Sequence, residues 1–370
     1  MNLKARALLV SAAVATLLVS GSATAQAGPR GTTSTPQLTV FATGLNQPRH
    51  LIAVGNQVVV AEAGTGGNLQ CVGTKCLGRT GSVAYVTSGQ VQRIVQNLPS
   101  LGNAADGAYG VGPADIALSS NGTPAVLMSN LASGVNPVTG ANPFGANGPE
   151  MGRLLTFTYP STTPQLGADF GVYEVTNNPD GGAGAPTGAE KESNPYGMTA
   201  YGDGFAVVDT GANSLLWVRA NGTVQTLAAL PTKTIGGQVV QSAPTAVEVG
   251  PDGALYVAEL SPSGTGTARV YRVVPGQAPT VYADGFTLLI DLAFDAQGRL
   301  LTLSMAQNGA FFPPSQGEVV RVEKNGTKTR WAPTGLIAPS GIAVSGNKAY
   351  ISNKGVASPG GGEIVRLTLP

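Results

Sequence analysis

Ten polar residues stand at matching places in a phrase that recurs along this chain, and their types are those that bind hard cations or move protons. Glu62, Asn130, Asp209, Glu259, Ser304 and Asn353 each close the second of two short apolar stretches, while His50, Asp115, Tyr196 and Asp291 lie near the start of the first. All six closing residues are polar and three are carboxylates, although charged residues make up only 11% of the chain, well under the usual proportion of about a quarter. Carboxylate and amide oxygens that converge on one point suit Ca²⁺, which takes oxygen ligands in a forgiving geometry. Glu62, Asn130, Asp209, Glu259 and Asn353 are therefore candidate Ca²⁺ ligands, with Asp115 and Asp291 as second choices. The competing and weightier reading is structural, since the same side chains cap turns and bond neighbouring backbone.

Whether these residues meet depends on the elements that carry them. The phrase runs proline, two spacers, an alternating apolar stretch, a Gly/Asn/Asp turn, a second apolar stretch, then a third. It opens at Pro48, Pro113, Pro195, Pro244, Leu289 and Pro339, and the third stretch recurs as Gly81-Ser82-Val83, Gly152-Arg153-Leu154, Asn213-Ser214-Leu215, Ala268-Arg269-Val270, Gly317-Glu318-Val319 and Gly362-Glu363-Ile364. Short period-two strands repeating every few tens of residues predict an all-β, six-bladed β-propeller of four-stranded antiparallel blades. Turns such as Asn121-Gly122 and Asp252-Gly253 supply the positive φ angles of tight hairpins. Fourth strands are expected at Val91–Val95, Val224–Leu227, Thr280–Tyr282 and Lys328–Trp331. The last unit ends at Pro370 without a fourth strand, and Leu38–Thr43 has no partner in its own unit. Pairing the two closes the ring and removes an open sheet edge. In such a ring, strand ends remote in sequence gather around the axis.

Lys4 and Arg6 precede an apolar run from Ala7 to Val19, followed by Ala23-Thr24-Ala25 and Ala25-Gln26-Ala27. Residues 1–25 read as a secretory signal peptide, with a second cleavage point after residue 27, and are too short for a membrane anchor. A flexible segment at 26–36 and a single propeller domain at 37–370 follow. The expected location is secreted or periplasmic. In that oxidising setting Cys71 and Cys76, the two cysteines, are expected to form a disulfide that pins a loop of the first blade. A zinc site would need more ligands than the single histidine, His50, can add. Net charge is +1, with no basic stripe for nucleic acid and no polybasic face for lipid. No membrane span is expected, and the protein should be a monomer.

Two excursions interrupt the repeat, at 131–150 and at 171–194. Stretches this long are functional lids or spacers. They are expected to crowd one face and to receive an unknown small molecule or protein there.

The chain resembles the scytonemin-biosynthesis-type (ScyD/ScyE) family of exported bacterial proteins. The resemblance rests on Gly112-Pro113-Ala114-Asp115-Ile116, Asn177-Asn178-Pro179-Asp180-Gly181, Glu192-Ser193-Asn194-Pro195-Tyr196-Gly197, Tyr256-Val257-Ala258-Glu259-Leu260, Asp284-Gly285-Phe286 with Ile290-Asp291-Leu292-Ala293-Phe294, and Ile351-Ser352-Asn353. These stretches extend over nearly the whole mature chain. The resemblance implies a six-bladed, TolB-like propeller related in architecture to gluconolactonase-like and NHL-repeat proteins. It brings no catalytic residues with it, and His50 stands where the pattern would have glycine.

Three function classes follow. The first is a binding or interaction scaffold, with Ca²⁺ as its candidate axial ion. The second is a metal-dependent lactonase or esterase of gluconolactonase type, in which the ion would polarise a carbonyl. A quinone-dependent sugar dehydrogenase ranks last, because Arg49 and His50 alone offer the cationic contacts and base it would need. No Gly-x-Ser-x-Gly elbow, phosphate loop or dinucleotide fingerprint is present. His50 reads as a packed inner-strand residue, and Tyr196 and Tyr201 as packing between blades.

Overall fold

The computed structural model describes residues 36–130, 134–158, 161–261, 264–310 and 316–370; the expected signal peptide at 1–25 and nearly all of 26–36 lie outside these. Six antiparallel meanders of four strands stand around an axis. Their innermost strands are Pro48–Val54, Pro113–Leu118, Pro195–Tyr201, Pro244–Val249, Leu289–Phe294 and Gly341–Ser345. Blade 1 illustrates the order outward: Pro48–Val54, Gln57–Glu62, Lys75–Thr87 and Gln90–Asn103.

The second strands read as nearly continuous apolar runs because each blade is covered on both faces. In blade 1, Val58 and Val60 pack with Tyr350 and Ile364 of blade 6, while the alternate Val59 and Ala61 pack with Ile116 and Val126 of blade 2. The core is thus a ring of clusters between neighbouring blades, and every blade depends on two others.

Closure takes the expected form. Strand Leu38–Leu45 pairs antiparallel with Gly362–Thr368, with Leu38 opposite Leu367 and Leu45 opposite Gly362. It buries Phe41 and Leu45, each contributing about 1.5–3 kcal/mol relative to exposure. Phe41 meets the ring of Tyr350 edge-on at 5.1 Å between centroids.

Cys71 and Cys76 are disulfide-bonded across a small hairpin between the second and third strands of blade 1. Elements not expected from the sequence include the fourth strand of blade 2, Gln165–Asp169, the helix Phe170–Asn177 that follows it, and a hairpin of Lys233–Ile235 with Gln238–Val240 between blades 3 and 4.

Antiparallel order fixes where the loops emerge. Inner strands all start on one face, here the loop face, and end in tight turns on the other. Residues 129–152 leave and rejoin blade 2 on the loop face, as do 170–194 between blades 2 and 3. They touch at two glycines: a Cβ on Gly171 would lie 2.3 Å from the Gly140 carbonyl oxygen, so neither position has room for a side chain.

Candidate axial site

Five of the six inner strands carry an irregularity in register near their start, between Pro113 and Asp115 in blade 2 and between Leu289 and Asp291 in blade 5, and blade 6 pairs without one. A bulge of this kind re-aims the side chain beside it. It turns the third residue of the phrase toward the axis, where blades 1 to 6 present His50, Asp115, Gly197, Ala246, Asp291 and Gly341. His50, Asp115 and Asp291 are all buried. Two residues further along, the same face of the strands carries Thr199 and Glu248, as the period of two requires.

His50 lies between two acceptors. Its Nδ1 faces Asp115 Oδ2 at 3.1 Å and its Nε2 faces the Ile290 carbonyl oxygen at 3.2 Å. A carbonyl oxygen can only accept, so Nε2 carries a proton. Burial alone would lower its pKa, but the charges of Asp291 and Asp115 and these hydrogen bonds outweigh it and raise the pKa to about 9. The edge of Tyr196 closes over it, with ring centroids 5.2 Å apart.

The carboxylates are held by backbone. Asp115 Oδ1 accepts from the Ile116 amide at 2.6 Å and Oδ2 from the Met198 amide of blade 3 at 2.7 Å. Asp291 has its pKa raised to about 6, by burial first and then by the charge of Asp115, against the lowering effect of His50 and of amide donors. Glu248 accepts from the Thr199 hydroxyl at 3.0 Å. Burial, followed by the charge of Asp291, pushes its pKa up to about 8, so at neutral pH it is largely a neutral acid.

These groups line an axial cleft of about 310 Å³, whose walls include Ile52, Leu118 and Ile342, at the small end of ligand clefts, which run from roughly 300 to 1,000 Å³. Inner-strand residues are buried at their starts and become half-exposed toward their ends, as in Pro48 to Leu51 against Ile52 to Val54. The cleft therefore opens on the tight-turn face. At the loop-face end, buried Arg49 donates to the carbonyls of Gly110 and Gly355, tying two loops across that end. The cleft and the excursions lie on opposite faces, whereas the sequence had suggested a ligand on the face the excursions crowd.

The second-strand ends sit elsewhere, each in a network of its own. Glu62 accepts from Arg93 Nε and Nη2, both at 2.8 Å, from Ser82 Oγ and from the Asn46 amide. Asp209 accepts from Ser193 Oγ and the amides of Asn194 and Ala212. Glu259 pairs with Lys233. Asn353 donates to Glu363 and to the Gly335 carbonyl and accepts from the Ile337 amide. The Asn130 amide donates to Asn194 Oδ1. Ser304 Oγ is buried without a hydrogen-bond partner among the described residues. What the structure does bring together is His50, Asp115 and Asp291, joined by Glu248 and Thr199, which the sequence reading passed over. The available signal was alternation: both stand two residues beyond the third position of the phrase. Among the described residues no three His, Cys, Asp or Glu side chains form a group that could hold a metal ion.

No family model matches the chain, and no curated protein matches it. Solved structures do. A protein with a provisional gluconolactonase assignment is 12% identical, with 90% of this chain and 92% of that chain covered and a TM-score of 0.51. A streptogramin B lyase is 14% identical, with 91% and 98% covered and a TM-score of 0.50. The PQQ-bound aldose sugar dehydrogenase of Streptomyces coelicolor is 13% identical, with 91% and 99% covered and a TM-score of 0.51. Three different descriptions on one architecture mean that the likeness carries the propeller fold and no reaction.

Proposed function

We propose that the chain is an exported binding scaffold whose axial cleft holds a small ligand without turning it over. The observation that carries this is the lock on His50. The single histidine is held between Asp115 and the Ile290 carbonyl, and with its pKa raised to about 9 it is protonated at neutral pH and offers no lone pair to abstract a proton, while the acids at the second-strand ends are engaged inside or between blades. A ligand fitting the cleft would be small and largely apolar, with a hydrogen-bonding group for Thr199 and Glu248. An association with scytonemin-type biosynthesis remains part of this proposal and rests on the sequence resemblance alone.

The test is a fragment screen by ligand-observed NMR, repeated on Ala117→Trp, which fills the cleft. Hits that vanish in that variant support the reading, and hits that persist unchanged sink it.

The second reading is a metal-dependent lactonase. What favours it is that three carboxyl groups, Asp115, Glu248 and Asp291, line the cleft, although they do not form a group that could hold a metal ion by themselves. Against it, both oxygens of Asp115 and of Asp291 already accept backbone amides. Ca²⁺-dependent hydrolysis of gluconolactone that disappears in Asp291→Asn would replace the first reading with this one.

A further inference from the structure

The helix Phe170–Asn177 ends on a cluster of buried oxygens. Glu174 is 1% exposed, and both of its carboxylate oxygens are buried without a hydrogen-bond partner among the described residues. Asn178 Oδ1 is in the same condition. The two residues are four apart and joined by a 2.7 Å bond from the Asn178 amide to the Glu174 carbonyl, and Asn178, the left-handed C-cap, ends the helix there. A buried carboxylate with neither donor nor counter-ion is costly, and native structures avoid it unless something is bound or a proton is taken up.

Everything around this helix end favours positive charge. The C-terminal end of a helix carries the negative pole of its dipole. Asp180 and Asp209 approach closely enough to raise the Glu174 pKa, after burial, to about 8, with Lys191 the one nearby cation acting against them. Both aspartates are already anchored. Asp180 takes the Gly182 amide and Gln241 Nε2, and Asp209 takes Ser193 and two amides. Lys191 is turned to the Val175 carbonyl at 3.3 Å. Glu174 and Asn178 are thus the members of the cluster with lone pairs to give, and Asp180 and Asp209 supply outer negative charge.

We propose that Glu174 and the Asn178 side chain form a Ca²⁺ site that fastens the 170–194 excursion to blade 3. The donors are all oxygen, which favours a hard cation over zinc. Water would complete the shell, since the carbonyls of Glu174, Val175 and Asn178 are already taken by Asn178, Lys191 and Gly181. The site lies off the axis and is independent of any ligand in the cleft.

The test is isothermal titration of the chelator-treated full chain with CaCl₂ at pH 8, alongside Glu174→Gln, Asn178→Ala, Lys191→Met and, as a cleft control, Glu248→Gln. The expected result is one site per chain in the wild type, kept in Glu248→Gln and weakened about tenfold or more in Glu174→Gln and Asn178→Ala. Removing the competing ammonium in Lys191→Met should tighten it. Binding should also release a proton, so that affinity rises from pH 6 to pH 8. No heat in the wild type, or heat undiminished in Glu174→Gln, overturns the proposal. If Glu174→Gln does not fold, Asn178→Ala decides. Ca²⁺ binding lost in Glu248→Gln but kept in Glu174→Gln would move the ion to the axis and equally refute this site.

Discussion

Asp115 and Asp291, three blades apart, make the same pair of bonds. Each uses Oδ1 to accept the amide of the residue that follows it, Ile116 or Leu292, and Oδ2 to accept an inner-strand amide of the next blade, Met198 or Ile342. Each bonded amide follows a glycine, Gly197 or Gly341. The axial belt thus repeats after half a turn, His50-Asp115-Gly197 against Ala246-Asp291-Gly341. The halves differ where His50 faces Ala246, and His50 is what makes one of the two aspartates an ion-pair partner.

That difference sets unequal costs for the two aspartates. Asp291→Ala strands one inter-blade amide and should cost about 1–3 kcal/mol. Asp115→Ala also removes the carboxylate in direct contact with the buried imidazolium, leaving it only the charge of Asp291, and should cost about 3–5 kcal/mol. Urea denaturation of both, and of Asp115→Ala with His50→Gln, should show the second change recovering part of the loss in the first. Additive costs would mean that the pair is not coupled.

Stability should fall as the solution becomes alkaline. A folded pKa of about 9 for His50, against an ordinary 6.5, means that its protonated form stabilises the fold fully below about pH 6.5. That stabilisation is lost as pH rises through about 9, on the order of 3 kcal/mol in all. Glu248, raised to about 8, acts in the same direction from about pH 4.5 upward. Thermal midpoints across pH 5 to 9.5 should decline in the wild type, and His50→Gln should flatten the upper half of the curve. An unchanged slope in that variant would contradict the imidazolium assignment.

Gly197→Ala and Gly341→Ala should each destabilise the ring by about 1–3 kcal/mol through overpacking. A Cβ at Gly197 would lie 2.5 Å from the Thr245 carbonyl oxygen of blade 4, and one at Gly341 2.6 Å from that of Arg49 in blade 1. The contacts are backbone, so no side chain can swing aside. Midpoints within 0.5 kcal/mol of wild type would show that the blades separate more easily than this packing implies.

Arg93→Met should cost about 3–5 kcal/mol, because it leaves fully buried Glu62 charged and without its guanidinium. Glu62→Gln, which keeps the shape and the Ser82 bond, should cost less. If added Ca²⁺ restored the Arg93→Met midpoint, Glu62 would be a cation ligand after all.

Removing residues 37–44 should abolish a single cooperative unfolding transition, since blade 6 loses its outer strand and the cluster holding Phe41 opens. A truncation with an unchanged melt would refute closure by these two segments.

Blade number, strand order, ring closure and the disulfide were legible because each rests on local signals: alternation, turn glycines, an odd strand at each end. The site was legible only in part. Asp115 and Asp291 stand out as acids in apolar strands, but nothing in the spacing says that Glu62 has Arg93 opposite it or that Glu259 has Lys233. Those partners come from a fourth strand and from an unforeseen hairpin. Glu248 was hidden for a different reason, since Val247 and Val249 on either side make its strand look like any solvent-edged one. The helix at Phe170–Asn177 escaped because glycine and three β-branched residues weaken its helical signal, while the Asp169 cap that starts it accepts from the Val172 amide.

The pairing of Leu38 with Leu367 has a consequence for biosynthesis. The outermost piece of the final blade is made first and its neighbours last, with some 320 residues emerging between them. At about 5–20 residues per second that is an interval of tens of seconds, during which Phe41 and Leu45 have no sheet to enter. Five blades can stack meanwhile, but the circle stays ajar until the ribosome finishes. A nascent chain stalled before Gly362 should be digestible by protease along its whole leading edge, and the completed one should not.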